Sequence, residues 1–267
     1  MRKIIYLFIG LISVIIIGCS SSDLTKNMSA EERFAIGKQM FEEEDYLEAK
    51  KEFEMIKLQF PGSSVADDAQ YYLAECYFMR EEYLLASEEY KSIKRSLQGS
   101  PYLPLAQFKI AMSFYNLAPI SYLDQEYTLK AIDAFQTFIE YYPTNDSVSV
   151  ASAKIKELNT RLAQKDFDSA EMYMQLGYYK AAAYYYNNVA EKFHDTPAAE
   201  PSHFGLVKAL IARKKYDDAK KEVEKFLEKY PRSQFKSDAE SLKKDIDEKI
   251  KSQSAAYFPN QQSQVVK

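Results

Sequence analysis

The chain has 267 residues, 46% of them hydrophobic and 28% charged, with a formal net charge of −4. This mildly acidic balance, with no basic tract, excludes the electrostatic footprint of nucleic-acid binding. Seven glycines, nine prolines and no tryptophan, with no apolar/polar alternation flanked by turn residues, predict an all-α fold.

In chain order, the first element is a targeting segment, residues 1–18. Arg2 and Lys3 precede an apolar run, Ile4–Ile17, shorter than the ~20 residues a spanning helix needs. The run ends in Ile16-Ile17-Gly18-Cys19, which resembles a bacterial lipobox. That resemblance implies cleavage before Cys19 and lipidation of Cys19; the alternative is an ordinary secretory signal with an incidental cysteine. Two or more acyl chains hold a protein firmly on a membrane. Ser20, in place of an aspartate after the cysteine, favours outer-membrane sorting. Residues 19–28 then read as a lipidated tether. With Cys19 modified, Cys76 is the one remaining thiol, so the fold relies on its core and not on a disulfide. Cys76 lies in the apolar "YYLAECYF" and reads as buried.

From Ser29 onward a helical pattern recurs five times. Ser29-Ala-Glu-Glu32 is a capping box opening the first helix. Each unit contains an alanine with an apolar or aromatic residue four later and another seven later. These sets are Ala49, Phe53 and Ile56; Ala86, Tyr90 and Ile93; Ala131, Phe135 and Phe138; Ala182, Tyr186 and Val189; and Ala219, Val223 and Phe226. Three residues before the alanine stand Tyr46, Tyr83, Thr128, Tyr179 and Tyr216; Pro61, Pro143 and Pro231 follow three of the five units. A preceding helix in each unit carries Phe34, Gly37 and Met40; Tyr71, Ala74 and Tyr77; Phe108, Ala111 and Phe114; Phe167, Ala170 and Tyr173; or Phe204, Val207 and Leu210. Small residues belong where two helices cross closely, so Ala182 is read as a crossing point and Tyr179 and Tyr186 as its buried neighbours.

The pattern resembles the tetratricopeptide repeat, a helical hairpin of about 34 residues. The predicted fold is therefore a superhelical solenoid, residues 29–251, of five hairpins (roughly 29–63, 64–99, 100–145, 160–196 and 197–232) and a capping helix (233–251). Ser100-Pro101 and Thr196-Pro197 read as helix starts, each a capping hydroxyl before a proline at the first helical position. "FPGSS" (60–64) reads as a stop, a turn and a new cap. "LAPISYLDQEY" (117–127) lengthens the turn of the third hairpin, an extra helix near 148–163 precedes the fourth, and 252–267 reads as a disordered tail.

No Cys/His metal set, Gly-rich phosphate loop or serine elbow is present, and the acid-rich "FEEEDY" (41–46) and "FMREEY" read as solvated turns. The expectation is a binding protein, not an enzyme, with no cofactor and no metal. The Phe34, Tyr71, Phe108, Phe167 and Phe204 ladder either lines a peptide groove or packs within each hairpin. Mixed-character positions one turn on, Lys38, Phe41, Glu75, Phe78, Met112 and Tyr115, are the better groove candidates, since aromatic residues beside charges suit an aromatic-ended peptide.

The run from Lys130 to Pro197 narrows the resemblance. It contains Phe135-x-x-Phe138-Ile139 leading to Tyr142-Pro143, then Arg161-Leu162-Ala163, then Ala170-x-x-Tyr173-x-x-x-Gly177-x-Tyr179-x-Ala181-Ala182. With the lipobox and five repeats, this is similar to the BamD (ComL) family of outer-membrane lipoproteins. The resemblance implies a periplasm-facing, lipid-anchored scaffold in the assembly of outer-membrane β-barrel proteins. It implies docking of the C-terminal repeats on a BamA-like barrel insertase, beside other assembly-complex lipoproteins, with unfolded β-barrel proteins as clients of the N-terminal repeats. The substrate half would then span Phe34–Tyr115 and the docking half Phe167–Phe226, with Phe167, Glu171, Met174, Phe204 and Lys208 as candidate docking residues. The competing readings are a repeat lipoprotein serving another envelope process, such as peptidoglycan coordination, and a SusD-type glycan-binding lipoprotein, for which the chain lacks the length.

Overall fold

The computed structural model describes residues 28–97 and 99–257, and all its regular structure is helical. The lipobox, Cys19 and most of the tether lie outside the described residues. Eleven helices are described: α1 (Ala30–Glu42), α2 (Tyr46–Gln59), α3 (Ala66–Met79), α4 (Tyr83–Ser96), α5 (Leu103–Leu117), α6 (Glu126–Tyr141), α7 (Val148–Gln175), α8 (Tyr179–Lys192), α9 (Ala199–Ala212), α10 (Tyr216–Lys229) and α11 (Lys236–Tyr257). The chain divides into two units, 1–116 and 117–267. The N-terminal unit holds the hairpins α1–α2 and α3–α4 and nearly all of α5. The C-terminal unit holds α6, the hairpins α7–α8 and α9–α10, and α11.

The repeat register explains the core. Ala49, Ala86, Ala131, Ala182 and Ala219 are all 0% exposed, and the apolar residues four and seven positions after each are also fully buried. In the four hairpins that lie within one unit, a methyl group at the crossing lets the two helices approach closely enough for those larger side chains to interlock. Gly37 makes the same point from α1, because a Cβ there would lie 2.9 Å from the Phe53 ring.

Four of the hairpin turns share the same backbone. Glu44, Glu81, Gly177 and Lys214 have φ of 64°, 62°, 76° and 58°, the left-handed conformation that ends many helices. In the first hairpin the Glu44 N–H donates to Phe41 O (3.1 Å) and the Asp45 N–H to Met40 O (2.9 Å), and the other three turns repeat this pair of bonds. Only Gly177 occupies that conformation without a steric cost.

Several boundaries differ from the sequence reading. The extra helix and the first helix of the fourth hairpin are one continuous element, α7, of 28 residues. No glycine or proline lies between Val148 and Gln175 to end it. The final helix begins at Lys236 and runs to Tyr257, through the first six residues of the expected disordered tail, again with no breaker before Pro259. The hydroxyls read as caps belong to the turns. Ser29 does form its capping box, but α5 begins at Leu103 and Ser100 Oγ accepts the Tyr102 N–H at 3.3 Å. Thr196 Oγ1 donates to Phe193 O at 2.7 Å, three residues before α9 starts. Ser64 donates to Glu31 at 2.7 Å, and α3 starts from Val65 with no side-chain cap.

Cys76 is buried, as read, and burial pushes its thiol up to about 12. Tyr179 is not buried. It opens α8 at the surface, 36% exposed.

Candidate partner-binding faces

In the N-terminal unit the candidate groove residues converge on Tyr72, a residue that the sequence reading did not single out. Phe34, Phe41 and Phe53 place their rings 5.9, 5.2 and 5.8 Å from it. Lys38 Nζ stands 4.5 Å above the Tyr72 ring and pairs with Glu42 at 2.9 Å. Such a cation over a ring is worth roughly 0.5–1 kcal/mol at an exposed site. Tyr71 is buried and stacks on Tyr102 with centroids 4.4 Å apart and planes within 9°. Glu75, only 8% exposed, accepts the Tyr90 hydroxyl and pairs with Lys109 at 2.9 Å. Lys109 also covers Phe78, 4.4 Å from its centroid. Phe108, Met112 and Tyr115 are half-buried on α5. The structure thus joins Phe34, Lys38 and Phe41 in one cluster and Glu75 and Phe78 in a second, through Lys109. Tyr71 and Glu75 are built into the packing.

The docking candidates of the C-terminal unit are spent differently. Phe204 is buried, stacked on Phe235 at 4.9 Å; Phe167 and Met174 are half-buried against the core. Glu171 and Lys208 are exposed. Glu171 accepts the Tyr186 hydroxyl, and Lys208 Nζ lies 5.0 Å from the Phe204 ring.

Glu75 and Glu171 occupy the same repeat position, as do Tyr90 and Tyr186, and both pairs are bonded. In the first and last hairpins that position is Lys38 or Lys208, opposite Phe53 or Val223, which offer no hydroxyl. The carboxylate occurs where a buried tyrosine must place its O–H, since an unmatched buried hydroxyl is costly.

Sequence reasoning missed three further features. Gly205 is a second crossing point, where a Cβ would lie 2.6 Å from the Tyr186 ring; no aromatic-to-alanine spacing flags it. The His203 Nε2 lies 3.1 Å from Glu222, which also pairs with Lys225 at 2.8 Å. The bond with His203, supported by Lys225, holds the Glu222 carboxyl down at about 2. The third is an open groove of about 680 Å³ lined by tyrosines of α7 and α8 and by Arg213. The density of tyrosine in "GYYKAAAYYYNN" was its sequence signal.

Among the described residues no helix is long and apolar enough to cross a membrane, and no His/Cys/Asp/Glu group is arranged to hold a metal ion.

The family model described as "YfiO: Outer membrane lipoprotein" matches residues 26–214. The chain belongs to that family. The match takes in both hairpins of the N-terminal unit and α6 to α9 of the C-terminal unit, and stops before α10. No curated protein matches. Among solved structures, the TPR2AB domain of yeast Sti1, in a complex with pHSP90, is 14% identical with a TM-score of 0.41, covering 85% of this chain and 86% of that one. A tetratricopeptide repeat protein from Parabacteroides merdae is 14% identical with a TM-score of 0.35, covering 85% and 76%. The repeats of a Podosopora anserina kinesin light chain are 13% identical with a TM-score of 0.37, covering 76% and 97%. These likenesses are too slight to carry any property to this chain.

Proposed function

We propose that this YfiO-family protein is a scaffold of the outer-membrane β-barrel assembly machinery, anchored through lipid on Cys19 and facing the periplasm. The observation that carries the reading is the family match over residues 26–214, joined to the lipobox-like Ile16-Ile17-Gly18-Cys19 and a fold of helical hairpins that supplies binding surfaces. In this reading the C-terminal hairpins dock on a BamA-like insertase, beside companion lipoproteins of the complex, through the exposed Glu171 and Lys208 and their neighbours. The N-terminal unit receives unfolded β-barrel clients. The half-buried Phe34, Phe41, Phe78, Phe108, Met112 and Tyr115, set beside Lys38 and Lys109, are the residues proposed to meet a client's aromatic end.

The test is a gentle detergent pull-down of the tagged, lipidated protein from outer membranes, with partners identified by mass spectrometry. Recovery of the insertase is expected, lost on deleting the last two hairpins with Cys19 kept, and weakened by combining Glu171→Lys with Lys208→Glu. Recovery of cell-wall enzymes alone, or of no partner, sinks the assembly role.

A further inference from the structure

The tyrosine groove of the C-terminal unit uses neither the crossing-point logic of the repeats nor the residues proposed above for docking. Tyr173 and Tyr185 stack at 5.5 Å with planes within 15°, forming an aromatic pair in the lining. Tyr178 and Tyr184 stand edge-on to it, 6.4 Å from Tyr173 and 5.4 Å from Tyr185, and are 62% and 69% exposed. Tyr179 completes the lining, with two cations, Lys180 and Arg213. Among the described residues neither cation has a hydrogen-bond, ion-pair or ring partner, and Arg213 is half-buried without one. The volume, about 680 Å³, is that of a ligand site, and the composition, tyrosine with arginine, is that of protein-binding hot spots.

Two features select the ligand. The unpaired cations call for carboxylates, which a guanidinium can hold through two parallel bonds. The walls offer side chains only, because the main-chain groups of α7 and α8 are largely committed to their own helices. A strand-like peptide would find no ladder there. A polyproline II segment needs none: its backbone stays solvated and its pyrrolidine rings lie flat on aromatic faces. We propose that this groove binds an extended, acidic, proline-bearing polypeptide segment, with the tyrosines taking the prolines and Lys180 and Arg213 the carboxylates. The inference does not depend on the assembly role, since any protein carrying such a segment would serve.

The experiment uses the full lipidated chain in detergent micelles and three fluorescein-labelled peptides of equal length: alternating Glu/Pro, alternating Lys/Pro, and Glu in a Gly/Ser background. Anisotropy should show the Glu/Pro peptide binding at least tenfold more tightly than either control, with affinity falling as salt is raised. Tyr184→Ala and Arg213→Glu should each weaken it at least tenfold, and Tyr184→Phe should not. Circular-dichroism melts check that the variants fold; the exposure of Tyr184 makes an unchanged melt the expected result. No binding of the Glu/Pro peptide at millimolar concentration, or equal binding of all three, overturns the proposal. So does capture of soluble acidic muropeptide fragments in place of the peptide, lost in the same variants, which would assign the groove to a glycan.

Discussion

Aromatic side chains and cations meet in both units, but two of these clusters stand in opposite states. In the N-terminal unit Lys38 and Lys109 each stand over a ring and pair with a carboxylate, so their charges are already answered. In the C-terminal unit Lys180 and Arg213 line an open tyrosine groove with no such partner among the described residues. One repeat pattern therefore yields a self-satisfied cluster in one place and unused binding capacity in another. The difference lies in what stands at variable positions of the repeat, since the buried register is the same in both.

That comparison can be broken at the crossing glycines first. Gly37→Ala would meet the edge of the Phe53 ring at 2.9 Å, whereas Gly205→Ala would meet the Tyr186 ring at 2.6 Å, and that ring's hydroxyl is tied to Glu171. Gly205→Ala should cost about 3 kcal/mol, the upper part of the overpacking range. Gly37→Ala should cost about 1 kcal/mol, because its clash is shallower and the Phe53 ring has no hydroxyl holding it in place. Urea unfolding of both variants checks the order; an equal cost would show that Tyr186 moves as freely as Phe53.

The two tyrosine–glutamate pairs come next. Tyr90→Phe removes one bond from the buried Glu75, leaving it Lys109 and the Tyr71 hydroxyl, and should cost about 2 kcal/mol, as for a hydrogen bond to a buried charge. Tyr186→Phe leaves an exposed Glu171 that water can solvate, and should cost about 0.5 kcal/mol. Matching losses in thermal melts would refute the distinction between a buried and a surface pair.

The hairpin turns sharpen the comparison on a smaller scale. Glu81→Gly should stabilise the chain by up to about 1 kcal/mol by relieving a left-handed non-glycine residue, and Gly177→Ala should destabilise it by about the same amount. Chemical denaturation reads both, and a neutral Gly177→Ala would mean that the turn in the C-terminal unit relaxes its φ.

The last contrast lies on the acid limb. Glu222 is held at about 2, first by His203 and then by Lys225, against an ordinary value of 4.5. A depressed carboxylate stabilises fully above its unfolded value, and that contribution is lost as the pH falls from about 4.5 through about 2. Glu222→Gln should lower stability at neutral pH and flatten its decline over that acid window. An unchanged slope of stability against pH would place the acid-sensitive group elsewhere.

Much of the fold was legible because its determinants are local and periodic. The five alanines and the buried residues after them follow a helical period, and each proved fully buried. Breakers carried less information than assumed. Ser100 and Thr196 look like caps, but a short polar side chain before proline serves equally well inside a turn, and hydrogen-bond geometry decides between the two. The candidate faces were legible only in part. Lys38 and Phe41 were identified, but Tyr72, the ring that gathers them, was not, because its role depends on contacts from a different hairpin. Tyr179 shares the helical sector of Ala182 and Tyr186, yet as the first residue of α8 it reaches the surface.

The sequence by itself determined the helical class, the repeat register and the five crossing alanines, since all three follow from side-chain size and a helical period. It also placed the chain near its family through the order and spacing of motifs. Only the tertiary structure decided that α7 runs unbroken, that Gly205 backs onto Tyr186, and that Lys109 is answered where Arg213 is not. Those outcomes depend on which helices are brought together, and a charge or a ring acquires its partner across hairpins, where no spacing along the chain records it.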